Sequence, residues 1–274
     1  MSSSSSHQML EKQTVLVTRP EQQQLPLIDT LNRHGVKTLS KPMLVIEELK
    51  SEVQINQIKS KIMSFAEYDI AIFVSTNAAH FGSQWIDNYW PQFPANLQVI
   101  AIGPSTAKAV ADLLPCQVIQ SASGVTSEDV LKLAQLQNIA GLKIAIFRGV
   151  GGRELLASAL RERGAMVDYF EVYTRQGCSY PEKDFIDELL SADVNIFAAN
   201  SSETVDQLKA NLGDHFKNFS GLSLLVPSAR VAEQARVDGF TAVVNCDGAS
   251  NEAFIAALLR LADTTLESQP QGKG

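Results

Sequence analysis

The sequence predicts an α/β protein of two similar parallel-sheet domains, because one plan is written twice and short apolar runs alternate with amphipathic stretches. Residues 14–49, TVLVTRPEQQQLPLIDTLNRHGVKTLSKPMLVIEEL, match residues 143–177, KIAIFRGVGGRELLASALRERGAMVDYFEVYTRQG. Arg19 falls on Arg148 and Gly35 on Gly164. Further along, Ile72-Phe73 meet Ile196-Phe197, Pro104-Ser105 meet Pro227-Ser228, and Glu128 meets Glu252. A repeat this long indicates two like domains rather than a solenoid. Two like domains on short connections make a cleft, and clefts between domains are favoured ligand sites.

The elements follow in order. VLVT, DIAIFV, VIAI, KIAIF, VNIFAA and SLLV are short runs rich in β-branched residues, the pattern of strands buried on both faces of a parallel sheet. Between them, LPLIDTLNRHG repeats apolar residues at helical spacing and stops at Gly35, and ELLASALRERG does the same and stops at Gly164. STAKAVADLL, SEDVLKLAQL, SETVDQLKANL, VAEQARVDG and NEAFIAALLRL are read as further helices. KPMLVI and EVYTRQ look extended and are read as the crossings between domains, with Pro42 suited to an edge strand or a turn. Alternating strands and helices imply right-handed crossovers and a doubly wound sheet in each domain, flavodoxin-like or Rossmann-like.

Composition narrows the function. Hydrophobic residues make up 45% and charged residues 19% of the 274, so the chain has enough apolar material for two cores. No apolar run reaches the ~18 residues of a membrane helix, and MSSSSSHQMLEKQ lacks the apolar region of a secretory signal. Residues 1–13 and 263–274 are read as disordered tails. A net charge of −7 argues against nonspecific nucleic-acid binding and requires that an anionic ligand be met by local donors. Cys116, Cys178 and Cys246 have neither metal-like nor redox-like spacing, as expected of incidental thiols in a reducing cytosol. The four histidines fall in the leader or at exposed helix positions.

Polar residues gather where strands turn into helices: Ser75-Thr76-Asn77, Gly103-Pro104-Ser105-Thr106, Gly124 to Ser127, Asn200-Ser201-Ser202 and Pro227-Ser228. In an open α/β sheet these junctions lie at the carboxyl ends of the strands, where ligands bind. Helix N-termini also carry free N–H groups and partial positive charge suited to carboxylates or phosphates. Each serine, threonine or asparagine also reads as a plain helix N-cap. RGVGGRE lacks the spacing of a phosphate loop and reads as a strand-to-helix turn, with Arg148 and Arg153 as candidate anion anchors or surface ion pairs. Tyr173 either packs or offers its hydroxyl to the cleft.

Taken together, VLVTRP, FVSTNA, AIGPSTA, TSEDVL, RGVGGREL, VYTR, FAANSSETV and VPSARVAE, in this order and spacing over residues 14–262, resemble the uroporphyrinogen-III synthase family. The resemblance implies two α/β domains joined by a two-stranded connection, one from residues 14–41 plus 176–262 and the other from 45–171. It implies a cytoplasmic, monomeric lyase without metal or organic cofactor that takes hydroxymethylbilane to uroporphyrinogen III, with loss of water and inversion of ring D through a spiro intermediate. No nucleic-acid or membrane partner is implied. By resemblance Tyr173 assists departure of the hydroxyl. Ser75, Thr76 and Asn77, Ser105 and Thr106, Asn200, Ser201 and Ser202, and Ser228 would receive the substrate's carboxylates, with Arg19, Arg148 and Arg153 adding charge. The last turn departs from the family pattern: Val226 stands where relatives carry glycine, and Arg230 is a candidate compensating anchor. A two-domain binding module without catalysis is the alternative reading.

Overall fold

The computed structural model describes residues 10–120, 127–152 and 154–267. The chain divides into a split unit, Met1–Val45 with Gln176–Gly274, and a continuous unit, Ile46–Arg175. Both divisions fall inside strands, β3 (Leu44–Glu48) and β8 (Met166–Gly177), which are neighbours in one sheet. The crossings read as extended are therefore strands.

In the continuous unit, β3 leads to α2 (Glu52–Met63), β4 (Ile70–Phe73), α3 (Thr76–Tyr89), β5 (Gln98–Ala101), α4 (Pro104–Leu113) and β6 (Val118–Gln120). There follow the single turn α5 (Ser127–Val130), then β7 (Lys143–Gly149), α6 (Leu155–Glu162) and β8. The sheet order is β3-β8-β7-β4-β5-β6, and β4, β5, β6, β7 and β8 pair in parallel. Both faces are covered. Ala71, Phe73, Ala145 and Phe147 point into one core with Phe65 and Phe170. Ile70, Ile72, Ile144 and Ile146 point into the other with Leu156 and Leu160. The short β-branched runs are thus buried on both sides, as parallel strands must be.

The split unit starts with β1 (Thr14–Val17), α1 (Leu25–Arg33) and β2 (Lys37–Ser40). It resumes with α7 (Glu182–Ser191), β9 (Ile196–Ala198), α8 (Ser202–Leu212), the short α9 (Phe216–Phe219), β10 (Ser223–Val226), α10 (Ala229–Val237), β11 (Val243–Asn245) and α11 (Asn251–Glu267). Its order is β11-β10-β9-β1-β2, all parallel. Spatially this is the continuous unit's β6-β5-β4-β7-β8. The chain enters the two sheets at different strands, however. Numbered along the chain, the split unit reads 2-1-3-4-5, the flavodoxin order, and the continuous unit's parallel strands read 3-2-1-4-5, the Rossmann order. One spatial plan thus carries both topologies.

The duplicated glycines do the same work in each unit. Gly35 and Gly164 have φ of 76° and 86°, a left-handed conformation that glycine adopts without a Cβ clash. Across them the Val36 N–H reaches the Leu31 carbonyl at 3.1 Å and the Ala165 N–H reaches the Leu160 carbonyl at 3.2 Å. All four flanking side chains are buried, so each glycine ends a helix and seals its last turn in the core.

Two expectations are corrected. SEDVLKLAQL is a single α-turn followed by a 3-10 turn at Ala134–Leu136. Side chains have taken the carbonyls a helix would use: Gln137 Nε2 donates to Leu131 O at 2.8 Å and Leu133 O at 3.0 Å, and Arg163 Nη1 donates to Leu131 O at 2.8 Å and Leu136 O at 2.7 Å. The tails drawn at 1–13 and 263–274 also overlap ordered chain. Leu10 is buried against Val15 and Leu31, and α11 continues to Glu267. The rest of both tails, 1–9 and 268–274, lies outside the described residues. Among the described residues no helix is long and apolar enough to cross a membrane.

Within the split unit, the segments leading into and out of the crossings are tied together by Asn211, only 5% exposed, near the end of α8. Its Nδ2 donates to Cys178 O and Gln207 O, both at 2.8 Å, and its Oδ1 accepts from the Tyr180 N–H at 2.9 Å. Beside it the Cys178 N–H reaches Met43 O at 2.9 Å, and Tyr180 Oη donates to Pro42 O at 2.7 Å. Burial pushes the Tyr180 phenol up to about 12, so this bond persists at alkaline pH. Asn211→Leu keeps the volume but leaves buried partners unpaired. We expect a loss of about 1–3 kcal/mol, read as a lower urea midpoint, and an unchanged midpoint would contradict this role for Asn211.

Candidate functional site

An open parallel sheet places its ligand crevice at the carboxyl ends of the strands, where the direction of winding reverses. In the continuous unit that point lies between β4 and β7. β4 runs out through Val74 into Ser75, which has extended backbone (φ −162°, ψ 166°) and caps α3, its Oγ accepting from the Ala78 N–H at 3.1 Å. β7 ends at Gly149, beside Tyr173 of β8.

The β7–β8 ladder slips here. Arg148 pairs with Glu171, but Gly149 pairs with Tyr173, so Val172 is an extra residue. Such a bulge re-aims the side chains that follow it. Phe170, Val172 and Tyr173 consequently all enter the same core, whereas strict alternation would send Tyr173 to the opposite face. The ring lies on Gly149, where a Cβ would fall 2.6 Å from Cε2 and 2.7 Å from Cζ. It stacks on Phe81 of α3 at 5.5 Å, and its Oη sits 3.3 Å from Ser75 Oγ. Tyr173 is 4% exposed. Of the two readings open for Tyr173, the ring packs, with its hydroxyl at the cap of α3, because the bulge and Gly149 draw it inward.

Arg148, read from the sequence as an anion anchor or a surface ion pair, is a buried side chain. Its side chain is 4% exposed, lies 4.3 Å over the Tyr169 ring and donates from Nε to Gly149 O at 3.3 Å. Its Nη1 stands 3.5 Å from the Glu154 carboxylate, which also accepts from Tyr169 Oη. Burial, with Glu154 second, raises the Tyr169 phenol, so it remains a donor. Gly152 passes directly over the guanidinium and leaves no room for a Cβ. The glycine-rich loop is therefore wrapped around Arg148 and fixed by it. Arg153 lies outside the described residues, as does the turn at 121–126.

The counterpart Arg19, 8% exposed, is likewise committed to its own unit. Nη1 donates to Asn251 Oδ1 at 2.7 Å, Nη2 donates to Ala249 O at 3.0 Å, and the guanidinium lies 5.2 Å over Phe254. Burial lowers its pKa against the opposing pull of Glu252. Both arginines are buried because each holds a strand-to-helix turn of its own unit, Arg148 the turn after β7 and Arg19 the turn between β11 and α11.

The remaining candidates fall at helix starts. Thr76 and Asn77 open α3, and Ser105 and Thr106 open α4, with Thr106 buried. In the split unit the reversal lies between β1 and β9, where Thr18 Oγ1 donates to Ala198 O at 2.6 Å. Ser201 caps α8, accepting from the Thr204 N–H at 3.2 Å, and Asn200 Oδ1 accepts from Thr204 Oγ1 at 3.0 Å. Ser228 caps α10, accepting from the Val231 N–H at 3.4 Å. Arg230 Nη1 stands 3.5 Å from Ser202 Oγ, which places a cation at the neighbouring starts of α8 and α10.

Val226 explains why that last turn departs from its counterpart. Gly103 has φ 83°, so α4 begins at once with Pro104. A valine does not adopt that backbone. Val226 stays in β10, and α10 starts at Ala229 under a serine cap, two residues past Pro227, the counterpart of Pro104. The residues that sequence reasoning missed are Gly149, Phe81 and the bulge at Val172. A glycine closing a strand was a visible signal for the first, whereas the bulge left none.

The family model described as "Uroporphyrinogen-III synthase HemD" matches residues 26–256. The uroporphyrinogen-III synthase of Escherichia coli K12 is 30% identical over 250 residues, covering 89% of this chain and 99% of that protein. That of Proteus mirabilis is 30% identical over 195 residues, covering 71% of this chain and 96% of that one. Among solved structures, a mutant uroporphyrinogen III synthase of Thermus thermophilus superposes with a TM-score of 0.60 at 16% identity, covering 94% of this chain and all of that one. The Helicobacter pylori uroporphyrinogen-III synthetase gives a TM-score of 0.54 at 15% identity, covering 91% of this chain and 99% of that one, a likeness of fold.

Gly149→Ala tests how the tyrosine is held. The added Cβ must displace the ring, costing about 1–3 kcal/mol as overpacking does and breaking the approach to Ser75. A lower thermal midpoint and an altered near-ultraviolet circular dichroism spectrum are expected. Unchanged spectra would show that the ring does not depend on the glycine.

Proposed function

This chain belongs to the uroporphyrinogen-III synthase family, and we propose that Tyr173 and the helix starts around it carry out that family's cyclisation. The enzyme is a cyclising lyase that converts hydroxymethylbilane to uroporphyrinogen III. The observation that carries the assignment of roles is the Tyr173 hydroxyl, held 3.3 Å from the serine cap of α3 at the reversal point of its sheet.

The reaction needs little acid. The pyrrole nitrogen of ring A pushes out the hydroxyl of the hydroxymethyl group, and the nitrogen's proton balances the departing hydroxide as water. The azafulvene so formed is electrophilic. The substituted carbon of ring D attacks it to give the spiro intermediate, whose fragmentation and reclosure turn that ring round. Tyr173 donates a hydrogen bond to the departing oxygen. Its contact with Ser75 is longer than the usual 2.7–2.8 Å for hydroxyl pairs, so a substrate oxygen replaces it at small cost. The serine hydroxyl still caps the helix while this exchange occurs.

The substrate's carboxylates are received at helix starts. In the continuous unit these are Ser75-Thr76-Asn77 and Ser105-Thr106. In the split unit they are Asn200-Ser201-Ser202 and Ser228, with Arg230 supplying charge in place of the glycine turn. N–H groups at such starts favour anions, which a chain of net charge −7 must meet locally. The protein acts as a single chain, and positioning with exclusion of water provides most of the rate and all of the isomer choice.

The test is incubation with hydroxymethylbilane and chromatographic separation of the two isomers. Isomer III is expected; isomer I alone, at the uncatalysed rate, would overturn the reading. Tyr173→Phe is expected to lower kcat by about 10- to 100-fold, at or below the usual range for a general acid because the leaving group departs partly unaided. A loss as complete as that of a missing nucleophile would contradict the donor role.

A further inference from the structure

A pocket of about 560 Å³ opens in the continuous unit between the end of β3, α2 and α3. Its volume falls in the range of small-molecule sites. Phe81, Trp85 and Tyr89 line it, spaced four residues apart on one face of α3. Trp85 and Tyr89 stack at 6.0 Å with an interplanar angle of 16°. Phe81 is shared, because it also stacks on the Tyr173 ring. Glu48 from β3 and Lys59 from α2 complete the polar part of the lining.

These groups specify a ligand. Stacked aromatic rings accept a flat π-system. A lysine ammonium donates to a carboxylate, and a glutamate carboxylate in the same lining accepts from an N–H donor. We propose that this pocket binds a single pyrrole ring bearing a carboxylate side chain, with its face on Trp85, its N–H toward Glu48 and its carboxylate on Lys59. The choice of pyrrole over other flat acids rests on the cyclisation proposed above, whose substrate has four such rings. The pocket then holds one ring while another reacts at Tyr173, and Phe81 is the wall common to both.

Pyrrole-3-propionate is the probe, titrated by tryptophan emission and calorimetry against the intact protein, with propionate and unsubstituted pyrrole as controls. Saturable binding is expected for pyrrole-3-propionate and much weaker binding for either control. Lys59→Met should weaken it about tenfold, the equivalent of one charge-assisted hydrogen bond. Trp85→Leu should remove both the emission change and the binding, with circular dichroism verifying that each variant is folded. Absence of saturable binding to the unaltered protein, or equal affinity in the two variants and the parent, would overturn the pocket assignment. The isomer assay on the same preparation separates the two readings. Isomer III formed without probe binding sinks the pocket alone, whereas probe binding with only isomer I sinks the cyclisation and leaves a pyrrole-carboxylate site standing.

Discussion

The arrangement around Tyr173 depends on one irregularity, the extra residue that β8 inserts opposite the end of β7. In a regular strand Phe170 and Val172 would share one side, and Tyr173 would join the isoleucine-rich face on the other. The bulge turns it back among the phenylalanines. Once there, the ring fits only because Gly149 has no side chain. Phe81 then fixes its plane and Ser75 its hydroxyl. Arg148, inside the glycine-rich loop, holds the backbone that carries the glycine. Packing, a register shift and a helix cap thus converge on one oxygen atom.

The duplication distributes tasks unevenly. Both units present strand ends and helix starts along one edge of a parallel sheet, so both offer turns of the kind proposed to receive carboxylates. The position matching Tyr173 in the first repeat is Leu44, a buried side chain without a polar atom. The position matching Arg230 is Ala107. The continuous unit therefore holds the hydroxyl, and the split unit holds the cation beside its caps. The permuted chain order makes this possible at little cost, because spatial neighbours at the sheet edge are kept while the chain is free to cross in β3 and β8.

Much of the fold was legible because it rests on periodicity. Runs such as IAIF and VLV lie buried on both faces, and Gly35 and Gly164 end their helices as the repeated RHG and RERG suggested. The failure at SEDVLKLAQL shows the limit: its apolar spacing is helical, but Arg163 and Gln137, distant or just beyond, take its carbonyls. In the site, Ser75, Ser201 and Ser228 were legible as caps because capping is local. The burial of Arg19 and Arg148 was not, since a sequence does not say which aromatic ring or carbonyl a guanidinium will meet. The inward turn of Tyr173 was not, since one inserted residue reverses a strand's facing without changing its composition.

For the role proposed for Tyr173, a packed tyrosine is better suited than an exposed one. Departure of water leaves an electrophilic azafulvene that solvent would trap, so the proposed donor is best placed where water is scarce. A phenol delivers one hydrogen bond without introducing a charge. A carboxylic acid or a lysine at the same place would need its own compensation in the low-dielectric core of phenylalanines around it. The bond to Ser75 keeps the phenol paired before substrate binds, which removes the penalty of a buried orphan hydroxyl. The same bond is long enough to yield to a better acceptor. In the role proposed for it, the hydroxyl is satisfied before substrate arrives and available once it has, so the aim of a weak donor matters more than its strength.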